Sequence, residues 1–270
     1  MREIATTTLS RNISEDTLGF YQEILQVLNA ASVPYLVGGT FALHHYAGIE
    51  RPTKDLDLFI HWNDYDDIQE ALQNAGFNVE LTYPHWLAKV YQEDDFVDLI
   101  FSSGNGVAVV DDLWFEHAKP AELFGIATRL CPIEETIWSK AFIMERERFD
   151  GADIAHLILA GGKMLNWDRL LTRFDEHWRP LLSHLILFGF IYPAHRDIVP
   201  TWVMGKLLSR LNNEVYTPAS DNNLCGGTLL SREQYVEDIH KHHYEDARVA
   251  PHGNLSQYEA ERWTEASKGN

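Results

Sequence analysis

Residues Tyr35 to Ile60 read YLVGGTFALHHYAGIERPTKDLDLFI, and this stretch decides the fold. Pro34 starts a short strand, Tyr35-Leu36-Val37; Gly38-Gly39 stops it, and a helix running from Thr40 to Tyr46 follows. Glycines at a strand-to-helix junction let the backbone approach a ligand closely, and the free N–H groups of a helix start favour a phosphate. The loop Gly48 to Lys54 leads into a second strand, Asp55 to Ile60. Residues two apart on a strand share a face, so Asp55 and Asp57 project together while Leu56, Leu58 and Ile60 pack on the other side. Neighbouring carboxylates repel unless a cation sits between them. Hard oxygen ligands on a rigid strand suit Mg2+ or Mn2+, with substrate phosphates completing the shell. Each signal also has an ordinary structural reading: a Gly-Gly turn, or a solvated strand face.

Upstream, Leu18, Tyr21, Ile24, Leu25 and Leu28 recur at helical spacing, which predicts a helix over Ser14 to Ala30 with Ser14 as its N-cap. Downstream, Asn63 can cap a helix running to Asn74 and ending at Gly76. Three strands follow, Asn78 to Thr82, Leu87 to Gln92 and Phe96 to Phe101, and a hairpin fits Leu123-Phe124-Gly125-Ile126. The strand FVDLIF carries a lone acid, Asp98, among apolar residues. A carboxylate there is costly unless paired, exposed at an edge, or bound to metal. If that strand neighbours the Asp55 strand, three carboxylates converge.

From Pro132 the pattern turns helical. Helices are expected over Ile133 to Arg148, Asp153 to Ala160, Trp167 to Phe190 with a break, and Thr201 to Asn212. Glu134 and Glu135 fall in a first turn, where the helix dipole favours acids. The expected fold is α+β: a small mixed sheet flanked by helices over residues 1–130, a mostly helical domain over 131–213, and an irregular extension over 214–270.

Composition sets outer bounds. The chain has 270 residues, 45% of them apolar, enough for a real core. The N-terminus, Met1 to Thr6, lacks the apolar stretch of a signal peptide, and the greasiest run, Leu181 to Tyr192, reads as a buried helix; a soluble cytoplasmic protein is expected. Cys131 and Cys225 form no CxxC pair and read as small buried or half-buried side chains. A formal charge of −18 argues against a general DNA- or RNA-binding protein, while leaving room for a local basic groove.

The ordered combination of strand, Gly-Gly, helix, acid-x-acid strand and a later lone acid resembles the nucleotidyltransferase superfamily that includes DNA polymerase beta, the minimal nucleotidyltransferases and the AbiEii-type toxins, most closely the last. The segment Glu135 to Leu157 (ETIWSKAFIMERERFDGADIAHL) looks like the later motifs of AbiEii-like proteins, with Lys140, Arg146, Arg148, Asp150 and Asp153 as the matching positions. The resemblance implies two-metal transfer of a nucleoside monophosphate from an NTP to a hydroxyl. Asp55, Asp57 and Asp98 would bind Mg2+ or Mn2+, with Asp98 also helping to deprotonate the acceptor. Gly38, Gly39 and Thr40 would hold the triphosphate, and Lys140 and Asp150 would contact the nucleotide. The acceptor it implies is RNA or tRNA, a protein, or a small molecule. It also admits a toxin–antitoxin component with an antitoxin or other protein partner. A catalytically silent nucleotide- or partner-binding module of the same fold is the alternative, against which the presence of all three acids counts. Asp150 has a structural reading as cap of the helix starting at Gly151, with Phe149 and Ile154 as its staple; Lys140 has one as a snorkelling side chain beside an apolar face.

Other features carry less. His240 and His243 could share a helix face, but no second cluster completes a zinc site. His44 and His45 read as packing residues, with one able to line the site. Cys225-Gly226-Gly227-Thr228 reads as a turn before a helix capped by Ser231. Trp167, Trp178 and Trp202 read as core, and the tail after Pro251 as polar and partly mobile.

Overall fold

The computed structural model describes residues 13–53, 55–219 and 222–266. The expectations for Met1 to Thr6 and for Lys54 lie outside the described residues. The chain forms two compact units, Met1–Pro132 and Ile133–Asn270.

The first unit is an α/β layer. Its elements are α1 (Glu15–Ala31), β1 (Leu36–Val37), α2 (Gly39–Ala47), β2 (Asp55–Phe59), α3 (Tyr65–Asn74), β3 (Asn78–Tyr83), β4 (Leu87–Gln92), β5 (Asp95–Ile100), α4 (Asp112–Glu116), β6 (Lys119–Leu123) and β7 (Ile126–Leu130). Ser14 caps α1 as expected, its Oγ accepting from the Thr17 N–H at 3.0 Å. Asn63 does not cap the next helix: a 3-10 turn, Trp62–Asp64, precedes α3, and no side chain caps that start.

Seven strands make one mixed sheet in the order β3-β4-β5-β2-β1-β7-β6. The pairs β2/β5 and β1/β7 are parallel, while β1/β2, β3/β4, β4/β5 and β6/β7 are antiparallel. The hairpin β6/β7 turns through Phe124 (φ +56°) and Gly125 (φ +78°). Because strand side chains alternate, Leu56, Leu58, Val97, Leu99, Ala88 and Val90 are buried in one core with Phe20, Ile24, Leu25 and Leu28 of α1 and Ile68 and Leu72 of α3. The residues between them on β2, β4 and β5 therefore face away from that core.

The second unit contains α5 (Ile133–Lys140), α6 (Gly151–Gly161), α7 (Trp167–Phe174), α8 (Trp178–Ile191), α9 (Thr201–Val215), β8 (Leu224–Cys225), α10 (Val236–His240), β9 (Glu245–Asp246) and α11 (Gln257–Glu265). The helix expected to reach Arg148 stops at Lys140. Long-range pairing overrides its helical pattern: the Met144 N–H donates to Leu230 O at 3.0 Å, and Met144 bridges Phe149. Glu134 and Glu135 do more than face a helix dipole. Both are buried in ion pairs with Arg169, and Glu135 also with Arg173 at 3.0 Å. The run Leu181 to Tyr192 is only half buried, since Leu181, Leu182, Leu185 and Phe188 point inward while Ile186, Leu187, Phe190 and Ile191 are exposed. Trp167 and Trp178 are core residues, but Trp202 is exposed. The polar tail carries an ordered helix, α11, closed by a reciprocal capping box between Ser256 and Glu259. Among the described residues no helix is long and apolar enough to cross a membrane.

Candidate active site

The face of β2 opposite the core presents Asp55 and Asp57, each half-buried. Parallel pairing places Asp57 beside Asp98 of β5 and Asp55 beside Phe96. Each of Asp55, Asp57 and Asp98 offers a carboxylate oxygen, and these oxygens all lie within 4.8 Å of one another. Among the described residues this is the one group of three or more His, Cys, Asp or Glu side chains placed so that it could hold a metal ion. His240, His242 and His243 are exposed and belong to no such group.

Side chains that the sequence reading passed over set the charge and aim of these acids. Lys89, opposite Asp98 in the β4/β5 register, places its Nζ 2.6 Å from Asp98 Oδ1 and 3.7 Å from the centroid of the Phe96 ring. The Thr53 hydroxyl donates to Asp55 Oδ1 at 2.7 Å. Burial pushes the Asp98 carboxyl up from its ordinary pKa; Lys89 pulls it back and Asp55 adds to the rise. Tyr21 is raised too, first by burial and then by Asp55, Asp95, Asp57 and Asp98. The sequence marks Lys89 as the single cation in the apolar run Leu87-Ala88-Lys89-Val90, and the β4/β5 register then faces it to Asp98.

The Gly-Gly turn is built into this acid face. The Gly38 N–H donates to the Asp57 carbonyl at 2.9 Å, which ties the turn to β2. Gly39 adopts φ +54°, and a Cβ there would fall inside the Asp57 carboxylate. A Cβ on Gly38 would lie 2.6 Å from Phe59 Cδ2. Both positions thus admit no side chain without rearrangement. α2 begins at Gly39, one residue earlier than the sequence suggests, and no side chain caps it. Its first N–H groups and the half-buried Thr40 are therefore offered at the end of the helix that abuts Asp57. On the same helix His44 and His45 are half-buried, and the His45 ring packs edge-on against Tyr46.

Lys140 and Asp150 lie in the second unit, where their contacts are with each other and their neighbours. Lys140 Nζ is 2.8 Å from Asp150 Oδ2 and 2.9 Å from Asp153 Oδ2, and Arg148 Nε is 3.0 Å from Asp150 Oδ1. Asp150 occupies the cap position of α6 but makes no capping bond. Two cations claim its carboxylate, and such charge-assisted pairs are stronger than a bond to a backbone N–H. Phe149 is half exposed and stacks on His184, with centroids 6.0 Å apart. Arg146 is exposed and pairs with Glu147. Ser231 accepts from the Gln234 N–H at 3.2 Å, with Arg232 beside Glu145 at 3.3 Å. Cys131 is buried and Cys225 half-buried, and no disulfide joins them.

Comparison with known families decides the class. Residues 17–176 match the model of the family described as nucleotidyl transferase of unknown function (DUF2204). The chain belongs to this nucleotidyl transferase family. The match takes in the acid strands, the Gly-Gly turn and α5 to α7. No curated protein matches the chain. Among solved structures, it is similar to the antibiotic-resistance factor ANT(2'')-Ia, at 17% identity and TM-score 0.42, covering 62% of this chain and 95% of that one. The lincosamide antibiotic adenylyltransferase LnuA, solved with lincomycin, gives 14% identity and TM-score 0.37 over 54% of this chain and 96% of that one. An antigenic nucleotidyltransferase-like protein from Paracoccidioides brasiliensis gives 18% and 0.37 over 63% and 93%. These likenesses are too distant to bear on substrate or mechanism.

Proposed function

We propose that the chain transfers a nucleoside monophosphate from an NTP to an acceptor hydroxyl at a divalent-metal site formed by Asp55, Asp57 and Asp98. The observation that carries this reading is the convergence of three carboxylate oxygens within 4.8 Å beside the uncapped start of α2. Three half-buried carboxylates this close repel strongly, and a hard, oxygen-seeking cation such as Mg2+ or Mn2+ suits that donor set. A divalent cation bound there would screen the triphosphate and favour the ionised acceptor hydroxyl.

The chain's own groups do the rest. The first N–H groups of α2 and the Thr40 hydroxyl bind phosphate oxygens. Thr53 and Lys89 hold Asp55 and Asp98 in place. In the transfer itself, the acceptor oxygen bonds to the α-phosphorus, and the bond from that phosphorus to the bridging oxygen of the β-phosphate breaks. Pyrophosphate leaves with the electron pair, and the acceptor's proton passes to Asp98 Oδ2, the oxygen not engaged by Lys89. The acceptor is RNA, a protein side chain or a small molecule, and a toxin–antitoxin component is compatible with either of the first two.

The test is transfer of label from each α-phosphate-labelled NTP, with Mg2+ or Mn2+, to total RNA, to a cell-protein extract, or to a panel of small polyhydroxylated compounds. Label should appear in one arm and vanish with Asp57→Asn, whose circular dichroism should match wild type. Transfer by Asp57→Asn at the wild-type rate sinks the assignment.

A further inference from the structure

We propose that Lys89 is a counter-ion built into the acid cluster, standing in for part of the metal's charge while the metal is away. The inference rests on reading Asp55, Asp57 and Asp98 as the metal site.

Four observations converge on it. Lys89 lies opposite Asp98 in the β4/β5 register, so strand alternation sends its side chain to the acid face while Ala88 and Val90 enter the core. Its Nζ meets Asp98 Oδ1 at 2.6 Å, and the two side chains are only 19% and 14% exposed, so water screens the pair weakly. The ammonium also sits 3.7 Å from the centre of the Phe96 ring, which fixes where the charge rests. Phe96 in turn is the cross-strand partner of Asp55. The cation is thus held against β5, which carries Asp98 and pairs with the strand of Asp55 and Asp57, with one oxygen of Asp98 engaged and the other left to act.

Two consequences follow from charge alone. Without metal, Lys89 lowers the repulsion among three clustered carboxylates, so the metal-free fold depends on it. With metal bound, that repulsion is already neutralised and two positive groups share one cluster, so Lys89 weakens metal binding while becoming dispensable for stability. A site arranged in this way holds its geometry between turnovers and releases its metal more readily than a bare acid trio.

The experiment uses the full-length chain and its Lys89→Met, Lys89→Gln and Lys89→Arg variants. Thermal unfolding is followed in EDTA and in saturating Mn2+, and Mn2+ affinity is read without nucleotide from the paramagnetic resonance of free Mn2+. Lys89→Met should unfold below wild type in EDTA, the gap should close in saturating Mn2+, and Mn2+ should bind roughly tenfold more tightly, the effect expected of removing one nearby charge from a partly screened site. Lys89→Arg, which keeps the charge, should stay near wild type. Should Lys89→Met fail to fold in EDTA, the less disruptive Lys89→Gln gives the same comparison. A stability gap that Mn2+ leaves unchanged, or an affinity equal to or weaker than wild type, overturns the proposal and leaves Lys89 an ordinary ion pair. Wild-type protein that binds no Mn2+ overturns the metal-site reading itself, a failure distinguishable from the first.

Discussion

Replacing Gly39 by alanine probes the interlock between the Gly-Gly turn and the acid strand, and Gly48 at the other end of α2 supplies a matched control. Both glycines hold positive φ, +54° and +66°. An L side chain in that region costs about 1–2 kcal/mol at either site. Their surroundings differ. A Cβ at Gly48 meets nothing within 4 Å. At Gly39 it would overlap the Asp57 carboxylate, with Asp57 Cγ only 2.7 Å away and Asp57 Cβ 3.1 Å. Carbon atoms pack at about 3.5–4.0 Å, so Asp57 must rotate away or the start of α2 must shift by about an ångström. Overpacking of this kind adds about 1–3 kcal/mol. Gly48→Ala should therefore lower the melting temperature by about 2–6 °C and leave Mn2+ affinity as it was. Gly39→Ala should lower it further and weaken Mn2+ binding at least about tenfold, because the group displaced is a proposed metal ligand and tenfold corresponds to only 1.4 kcal/mol. Calorimetry and Mn2+ titration of both variants decide the matter. Gly39→Ala with wild-type Mn2+ affinity, or a melting point equal to that of Gly48→Ala, would refute the reasoning.

Thr53→Val removes the 2.7 Å bond that orients Asp55 while keeping the side-chain shape; a half-buried bond to a charged group is worth about 1–2 kcal/mol, so kcat should fall roughly tenfold with the fold intact, and an unchanged kcat would count Thr53 out. In the second unit, burial works to raise Asp150, but Arg148 and Lys140 outweigh it and hold its carboxyl below the ordinary range. A depressed folded pKa means stability that is present above the unfolded value, about 4, and lost as pH falls through the folded value. Urea midpoints of wild type should therefore drop through the acid range below about pH 5, and Asp150→Asn, less stable at neutral pH by about 2–4 kcal/mol, should show a flatter acid limb; parallel limbs would refute this account.

Much of the first unit was legible because its signals are local and periodic. The apolar spacing of α1 with Ser14 before it, the alternation of β2, and the bounds of β4 follow from side-chain period alone. Asp98 stood out as a charge in an apolar strand, and its cost predicted a partner or ligand. Its partner Lys89 was harder to see, because a lone lysine between apolar residues also describes a solvated strand face. Only the register of β4 against β5, a pairing set across the sheet, turns it toward the acids. The same limit explains the helix that stops at Lys140. Nothing between Ala141 and Arg148 breaks a helix locally, and the turn there answers to Leu230, distant in sequence. Asp150 looked like a cap because capping is local, whereas its pairing with Lys140 depends on how α5 and α6 meet.

The two faces of β2 show why the site and the core are inseparable. A one-residue slip of β2 against β5 would send Asp55 and Asp57 into a core shared by Leu25, Val97 and Ile68, and bring Leu56 and Leu58 out to the acid face. Burying two unpaired carboxylates costs far more than any single apolar contact returns, so the alternation that packs the core also fixes the register of the acids. Asp98 follows, because parallel pairing carries the same parity across to β5, and Lys89 follows again through β4. The positions of all four charged side chains are thus set by the burial of Leu56, Leu58, Val97, Leu99, Ala88 and Val90. Truncating one of those six would loosen the acid cluster through register rather than through any contact with it.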